Sequence, residues 1–392
     1  MKISLADQIE RRRVQAAGAY RFVPIEAVSE LDRTSLPQGG AGSGWAGALV
    51  PAEPGWRRVQ LITPETAALL SSLDVEPRIP AGFDLAVFAR LVLDGILELE
   101  CENGFLSGPL AHGLFFPPEP PVPEGTVARL SLAALQYATA LGNLPPRHLT
   151  ERLYRYNTLP MSPEWRRRLS DAMAVARALE AGAPPRARVR RHAPVWTTFT
   201  SAEPVGPVWE VWERSGAPVP HDEAPTYKLY LSPHVAGMGE ASRALRALPA
   251  ACAPFALKLG GDLPTLLRSE KLVAYYLELD QLLEGAARLS ASLRGMPAQG
   301  VPFTVELDAG ALLTWGADPG DVAEPPGPLR QTSWRRWITA RLGTALATAL
   351  AAGAPVPAWH YALDRVALEG VDSRRWTPPA WFFRGTREHA DH

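Results

Sequence analysis

The spacing of apolar residues along the first 115 positions predicts short strands around two helices. Ala19 to Ile25 and Trp56 to Ile62 have the apolar or alternating pattern of strands. Thr63 followed by Pro64 is typical of a helix start, with threonine as the N-cap and proline in the first turn. From Phe83 to Asp94, apolar residues return at helical spacing, which predicts the second helix.

A β-hairpin is predicted directly after the second helix. Ile96 to Glu100 alternates between apolar and polar residues, and Asn103 with Gly104 fits a tight hairpin turn. Strands, two helices and this terminal wing together predict a winged-helix-like domain over residues 1–115. DNA binding is the alternative role, but the second helix offers only Arg90 as a cation, so it is a poor recognition helix.

Beyond this domain, helices come first and strands follow. The proline-rich stretch from Phe116 to Pro123 predicts an extended linker, and therefore a second domain over 116–392. Apolar spacing predicts helices within 126–181. Residues 195–372 mix strands with helices, which favours an α+β fold over repeated βαβ units. The strands predicted there are Val208 to Trp212, Tyr227 to Leu231, Phe255 to Leu259, Leu272 to Leu277 and Pro302 to Leu307. The helices predicted there are Gly239 to Leu248, Asp280 to Arg294 and Ser333 to Ala352.

Composition and charge narrow the class of protein. The chain has 392 residues with 40 basic and 41 acidic side chains, so its net charge of −1 gives no general attraction for nucleic acid. Two cysteines exclude a disulfide scaffold and a four-cysteine zinc site. The eight histidines include no pair at the spacing of metal ligands, so no metal or cofactor is predicted. No apolar run reaches the ~20 residues of a membrane span, and no secretory signal is visible, so we predict a cytoplasmic protein without a membrane partner.

Three of the four lysines, Lys228, Lys258 and Lys271, lie within one short stretch. Because lysine can release its proton whereas arginine stays charged, lysines retained in an arginine-rich chain indicate chemistry. In its predicted strand, Lys228 shares a face with Tyr230. Two lysines and Arg268 on neighbouring elements would bind a phosphate or carboxylate dianion. The alternatives are chance clustering and edge lysines that discourage aggregation.

These basic residues are expected to share one pocket. The residues expected to converge there are Lys228, Lys258, Arg268, Tyr230 and either Tyr275 or Tyr276. Asp262 follows two glycines that could form an anion-binding nest, but its carboxylate would repel phosphate. We therefore interpret Asp262 as the N-cap of a short helix.

The N-terminal part resembles a known peptide-binding element. The segments that carry the resemblance are VQLITPETAALLSSL and FARLVLDGILELECENGF. Over about residues 15–110 they resemble the PqqD-like recognition element of enzymes that modify ribosomally made peptides. This resemblance implies that a leader peptide is bound as an added strand beside a helix. The implied peptide-binding residues are Val59, Leu61, Leu85 and Phe88.

The C-terminal part resembles a second family over about residues 195–372. The matching segments, in order, are YKLYLSP, APFALKLGGDLPTLLRSEKLVAYY, GVPFTVELDAGALLTWGADPG, SWRRWITARL and ALDRVALEGVD. Together they resemble the HopA-type effector family, whose members also act as lyases in lanthipeptide and thioamitide pathways. The chain departs from the family pattern in two places. Glu270 replaces the aspartate of an Arg-x-Asp pattern, and the helix start at Ser333 lacks the family's glycine and histidine.

The two resemblances imply an enzyme that modifies ribosomally synthesised peptides. It would be a lyase that eliminates phosphate from phosphoserine or phosphothreonine and leaves a dehydroamino acid. Its partners would be a phosphorylated precursor peptide with a leader, and a companion kinase. The implied site residues are Lys228, Lys258 and Tyr230 for catalysis, and Arg268, Lys271, Arg335 and Arg336 for phosphate binding. Lys228 is the first choice of base, because burial among apolar neighbours would lower its pKa.

Two other functions remain open. A non-catalytic scaffold that presents the peptide to a kinase is consistent with the missing histidine. An enzyme of the aromatic prenyltransferase type would bind a diphosphate with its lysines and shield a carbocation with its aromatic residues. That chemistry usually requires more strands of the Lys-x-Tyr kind than this chain offers, so it is the less favoured of the two.

Overall fold

The computed structural model describes residues 9, 11–28, 45–52, 59–102, 104–180, 196–201, 208–217, 226–318, 333–380 and 382. Helices and antiparallel sheets occur together in these ranges, so the predicted α+β class is confirmed. No helix within them is both long and apolar enough to cross a bilayer. Asn103 of the predicted hairpin turn lies outside the described residues.

Six short strands form two three-stranded sheets in the N-terminal part. The first four are β1 (Val14–Ala16), β2 (Tyr20–Pro24), β3 (Gly47–Pro51) and β4 (Gln60–Ile62). Helices α1 (Pro64–Ser72) and α2 (Leu85–Leu93) follow, and then strands β5 (Leu97–Cys101) and β6 (Gly104–Leu106). One sheet has the order β1-β5-β6 and the other β2-β3-β4. The β5–β6 pair is the predicted hairpin, whereas the winged-helix description stays a prediction.

Side-chain caps begin both N-terminal helices. Thr63 accepts a hydrogen bond from the backbone N–H of Thr66, which confirms the predicted start of α1. Asp84 caps α2 by accepting from the backbone N–H of Ala86 at 2.7 Å. Such caps satisfy N–H groups that have no partner within the helix itself. Local residue type therefore determines where these helices begin.

The middle of the chain is helical, as the apolar spacing predicts. It forms α3 (Thr126–Ala140), α4 (Pro146–Tyr154), α5 (Pro163–Arg168) and α6 (Ala172–Glu180). Prolines occupy the first turn of α4 and α5, where a missing N–H costs nothing.

Seven antiparallel strands form one large sheet in the C-terminal half. They are β7 (Trp196–Ser201), β8 (Trp209–Arg214), β9 (Thr226–Leu231), β10 (Ala256–Gly260), β11 (Leu272–Tyr276), β12 (Val305–Glu306) and β13 (Leu313–Asp318). Their order across the sheet is β12-β13-β9-β11-β10-β8-β7. The helices of this half are α7 (Met238–Arg246), α8 (Leu263–Leu266), α9 (Leu279–Ser292), α10 (Trp334–Ala352) and α11 (Ala358–Ala367).

The two faces of the large sheet differ in chemistry because side chains alternate along each strand. One face is apolar and packs with α7 and α9 in a single core. The opposite face carries Lys228 beside Tyr275, and Tyr230 in line with Lys258 across β11. The polar and aromatic residues of the central strands therefore share one side of the sheet.

The sequence pattern and the structure differ at several elements of this half. The strand predicted from Pro302 to Leu307 shortens to β12, because Phe303 adopts a left-handed backbone conformation at φ 63°. Strand β13 is absent from the prediction, since Gly316 interrupts its apolar pattern. A Cβ at Gly316 would lie 2.6 Å from Cδ1 of Trp334, so the close approach of α10 requires glycine. Strand β7 and helix α11 were also not predicted.

The N-terminal part packs directly against the last two helices. One apolar core combines buried residues of α1, α2 and β5 with those of α10 and α11. Tyr361 donates a hydrogen bond to the carbonyl of Leu93 at 2.6 Å. Arg365 binds both carboxylate oxygens of Asp94, at 2.6 and 2.7 Å. The boundary predicted between domains 1–115 and 116–392 stays a prediction.

Candidate functional site

Five cationic side chains gather over the polar face of the large sheet. Lys228 and Lys258 project from β9 and β10, Arg268 follows α8, and Arg335 and Arg336 open α10. We call these five residues the basic cluster. The fold brings these residues together from distant parts of the chain. They are close enough that Lys228, Arg268 and Arg336 each affect the pKa of Lys258.

Aromatic rings separate and support these cations. The three guanidinium groups of the cluster lie over the ring of Tyr154, at 4.8 to 5.4 Å from its centroid. The Lys258 ammonium lies 4.4 Å from the centroid of a Trp209 ring, and the Lys228 ammonium lies 5.2 Å from that of Tyr275. Cation–π contacts of this kind stabilise positive charge without neutralising it. The rings therefore hold the cations near one another.

Glu270 connects two of the arginines. Its carboxylate pairs with Arg268 and also accepts a hydrogen bond from Nη1 of Arg335 at 2.6 Å. Burial raises the pKa of Glu270, but Arg335 and Arg268 lower it by more, so the group is ionised. Arg335 also donates to the carbonyls of Pro302 and Tyr154. Arg335 is buried, and each of its three guanidinium nitrogens donates one hydrogen bond within the protein. Its phosphate-binding role stays a prediction.

Lys228 carries an ion pair that the sequence does not predict. Its ammonium contacts the carboxylate of Asp318 at the end of β13, and both side chains are largely buried. Burial by itself lowers the pKa of Lys228, but Asp318 outweighs burial and the net shift is upward. The pairing with Asp318 makes Lys228 a weaker candidate for the base, and its catalytic role stays a prediction.

The surroundings of Lys258 shift its pKa in the direction opposite to that of Lys228. Its side chain is half-buried, and among the described residues no carboxylate pairs with it. Burial lowers the pKa of Lys258, and the positive charges of Lys228, Arg268 and Arg336 lower it further against the opposing effect of Glu270. Lys258 is therefore the lysine of the basic cluster that most readily becomes a free amine.

The tyrosines divide between the two faces of the sheet. Tyr230 and Tyr275 lie on the face of the basic cluster, and burial raises the pKa of both phenols. Each keeps its proton and can donate a hydrogen bond, but neither is suited to be a base. Tyr276 lies on the apolar face, where its hydroxyl donates to the carbonyl of Cys252.

Lys271 lies apart from the basic cluster. Its buried ammonium donates to the carbonyl of Pro233 at 2.8 Å and to the side chain of Gln299. Gln299 in turn donates to the carbonyls of Asn157 and Leu267, so this lysine joins several loops. Burial lowers the pKa of Lys271 to about 7. The contacts of Lys271 are those of loop packing, and its phosphate-binding role stays a prediction.

An edge strand in the N-terminal part borders a small groove. Strand β4 pairs with β3 on one side, and no described strand pairs with its other edge. The groove beside it is lined by Gln60, Thr63 and Ile62 from the strand side and by Arg90 and Leu91 of α2. A sheet edge beside a helix is the arrangement that strand addition requires.

The four residues expected to bind a leader peptide differ in their exposure. Val59 and Leu85 are half-buried and border solvent. Phe88 is fully buried, and Leu61 packs inside the small core of the β2-β3-β4 sheet. Leu61 lines the groove even though it also packs in this small core, whereas Phe88 packs in the larger core. The peptide-binding role of the four residues stays a prediction.

Several residues of the site were missed in the sequence. Glu270 had a signal, since it occupies the acidic position of the Arg-x-Asp pattern. No signal in the sequence identified Asp318, Tyr154 or Trp209, because each comes from an element remote in sequence from the lysine or arginine that it contacts. Only the arrangement of the strands and helices reveals them.

Comparison with family models and with curated proteins finds no match. Among solved structures, effector proteins from Pseudomonas syringae pv. syringae strain 61 and from Pseudomonas syringae pv. tomato strain DC3000 are weakly similar. Each has 12% sequence identity and a TM-score of 0.35, and each alignment covers 64% of this chain and 97% of the effector chain.

Proposed function

We propose that the protein modifies ribosomally synthesised peptides by eliminating phosphate from phosphoserine or phosphothreonine, with the basic cluster as its active site. The observation that carries this proposal is the setting of Lys258. It is a half-buried amine with a lowered pKa among like charges, and no described carboxylate pairs with it. A lysine with a lowered pKa beside guanidinium groups would supply the base and the anion site that this reaction needs.

The charges of the cluster favour a phosphate ligand. Asp318 neutralises Lys228, and Glu270 is shared between Arg335 and Arg268. With Lys258 as a neutral amine, the other four residues of the basic cluster carry four positive charges against the two carboxylates paired with them, which leaves an excess of positive charge within the cluster. A phosphate dianion would supply the missing negative charge and accept hydrogen bonds from Arg268 and the exposed Arg336.

The elimination follows from these positions. Lys258 takes the Cα proton, and the electron pair of that C–H bond forms the Cα=Cβ double bond. The Cβ–O bond breaks, and phosphate leaves with the bonding electrons. Arg268 and Arg336 stabilise the charge that develops on the leaving group. Tyr230 keeps its proton and is placed to donate a hydrogen bond rather than to act as a base.

The N-terminal groove completes the proposal. The leader of the precursor peptide would add as a strand to the free edge of β4, beside Arg90 of α2. Main-chain hydrogen bonds would then hold the leader, while the phosphorylated core segment reaches the basic cluster. A companion kinase would supply the phosphorylated peptide.

Substitution of Lys258 tests the assignment of the base. Lys258→Arg keeps the positive charge but cannot accept a proton, so elimination should fall by about 10²–10⁴-fold, the range typical of a general base. Mass spectrometry of a phosphopeptide with its leader would follow the loss of phosphoric acid, and thiol addition would report the dehydroamino acid. The exposed Arg294 lies outside the cluster, so Arg294→Gln should retain the wild-type rate. An unchanged rate in Lys258→Arg would contradict the assignment.

A non-catalytic scaffold is the second candidate. None of the five residues of the basic cluster is a histidine, so the cluster lacks the usual proton donor for a leaving group. If the wild-type protein binds the phosphopeptide tightly but releases no phosphate, the scaffold function would replace the lyase function.

A further inference from the structure

A buried group of two histidines and one aspartate lies outside the basic cluster. His112 comes from the 3₁₀ helix Gly108–Leu114, and His360 and Asp364 lie one turn apart on α11. The three residues are 3%, 2% and 7% exposed. Their ligand-type atoms all lie within 4.8 Å of one another. His112 and Asp364 are 252 positions apart, which explains why histidine spacing gave no sign of them.

Electron-pair donors of the three side chains lie close together. Nε2 of His112 lies 2.8 Å from Oδ2 of Asp364, and Nε2 of His360 lies 3.1 Å from the same oxygen. Despite this distance, His360 Nε2 is not aligned for a hydrogen bond to that oxygen and has no other hydrogen-bond partner in the described structure. A buried polar nitrogen without a hydrogen bond is costly, so it requires a partner that the three side chains alone do not supply.

A metal ion of the zinc class satisfies these conditions. Zinc is bound by histidine nitrogen and carboxylate oxygen at about 2.0–2.2 Å, and tetrahedral ligands at that distance lie about 3.3–3.6 Å apart. The 3.1 Å separation at His360 is close to this range, whereas the 2.8 Å separation at His112 is that of a hydrogen bond and would widen by about 0.5–0.8 Å when the ion binds. Calcium and magnesium prefer six or more oxygen ligands, so the two nitrogens disfavour them. The ion's positive charge would also neutralise the buried carboxylate.

The surroundings indicate a structural rather than a catalytic ion. The ring of Phe116 stacks on His112 at 5.3 Å, and the ring of Trp359 stacks on His360 at 5.7 Å. The three ligands are buried beside these rings, which keeps substrate away and leaves the fourth position of a tetrahedral ion to one water molecule. We propose that His112, His360 and Asp364 bind one Zn²⁺ that fastens the 3₁₀ helix of the N-terminal part to α11.

Metal analysis of the full-length chain tests this site. Wild-type protein freed of metal by a chelator and titrated with Zn²⁺ should bind about one equivalent, and its melting temperature should rise with Zn²⁺ by mass action. His360→Gln and Asp364→Asn should each lower the zinc affinity by about tenfold or more. Loss of a residue that only supports a ligand already costs about tenfold, and loss of the ligand itself should cost at least as much. The exposed His148 is the matched control, and His148→Gln should bind zinc like the wild type.

Two outcomes would overturn the proposal. Wild-type protein that binds zinc no better than His360→Gln would leave only a hydrogen bond between His112 and Asp364 with His360 beside it. If the variants fail to fold, Co²⁺ added to the wild type provides a separate measurement. A tetrahedral site with nitrogen ligands gives a visible cobalt absorption, and a colourless Co²⁺ complex would contradict the site.

Discussion

The ammonium groups of Lys228 and Lys258 lie on the same sheet face and have opposite pKa shifts. Asp318 pairs with Lys228 and raises its pKa, whereas the charged neighbours of Lys258 are mostly cations. Strand alternation in the sequence is enough to place Lys228 and Tyr230 on one face. It cannot identify Asp318, because the pairing of β13 with β9 is set by long-range packing. The residue types of the site were therefore predictable, and their protonation states were not.

The buried Lys271 predicts a pH dependence of stability. Its pKa is about 7 in the folded protein and about 10.4 in an unfolded chain. Between these values the unfolded chain binds one more proton, so the free energy of unfolding should rise with pH through this window, by on the order of 4 kcal/mol. Below about pH 7 both states are protonated, and this contribution is constant.

Urea unfolding of the wild type and Lys271→Met between about pH 6 and pH 10 checks this prediction. Methionine removes the titrating group and keeps a similar length, so only the wild type should gain stability from this residue as pH rises. A difference between the two proteins that does not change with pH would show that Lys271 remains charged in the folded protein.

Short elements with local signals formed where the sequence placed them. Thr63 begins α1 and Asp262 begins α8, because both side chains accept hydrogen bonds from the first turn of their helix. Elements without such signals were missed or misplaced. Gly316 hides β13 in the sequence, and the left-handed conformation of Phe303 ends a run that reads as a strand. Contacts with α10, rather than the local conformational preference of the residues, explain why β13 contains Gly316.

The cap of α8 offers a test at the scale of one element. Asp262 accepts hydrogen bonds from the N–H of Thr265 at 2.8 Å and from its hydroxyl at 2.6 Å. Asp262→Ala removes both, so the free energy of unfolding should fall by about 1–2 kcal/mol. Asp74 is exposed and caps no helix, so Asp74→Ala should change stability by less than about 0.5 kcal/mol. Urea denaturation compares the two, and equal losses would contradict the cap.

On the scale of the whole molecule, the N-terminal part and α11 are joined by charge as well as by apolar packing. Arg365 holds Asp94 through two hydrogen bonds and Glu369 through a third at 2.8 Å. Burial lowers the pKa of Arg365, but Asp94 and Glu369 outweigh it, so the guanidinium stays charged. Removing one partner of a buried ion pair leaves the other charge buried without compensation, which strongly destabilises the fold.

Removing Asp94 should therefore weaken the entire fold. Asp94→Ala leaves Arg365 with one acidic partner, and we expect a loss of about 3 kcal/mol in the free energy of unfolding. The double variant Asp94→Ala with Arg365→Met should recover part of that loss, because no unpaired charge remains. Urea unfolding followed by tryptophan fluorescence measures both variants. An exposed ion pair contributes less than about 1 kcal/mol to the free energy of unfolding. A loss below that value in Asp94→Ala would show that the contact is not buried in solution.

The hydrogen bond from Tyr361 to Leu93 joins residues 268 positions apart, and this separation affects how the protein is made. A ribosome adds about 5–20 residues each second, so about 15–50 s pass between the synthesis of the first partner and that of the second. During this interval the apolar faces of α1 and α2 lack the surface that later covers them. The nascent chain is thus exposed to aggregation until α11 emerges, and its yield in cells should depend on chaperones that bind unfinished proteins.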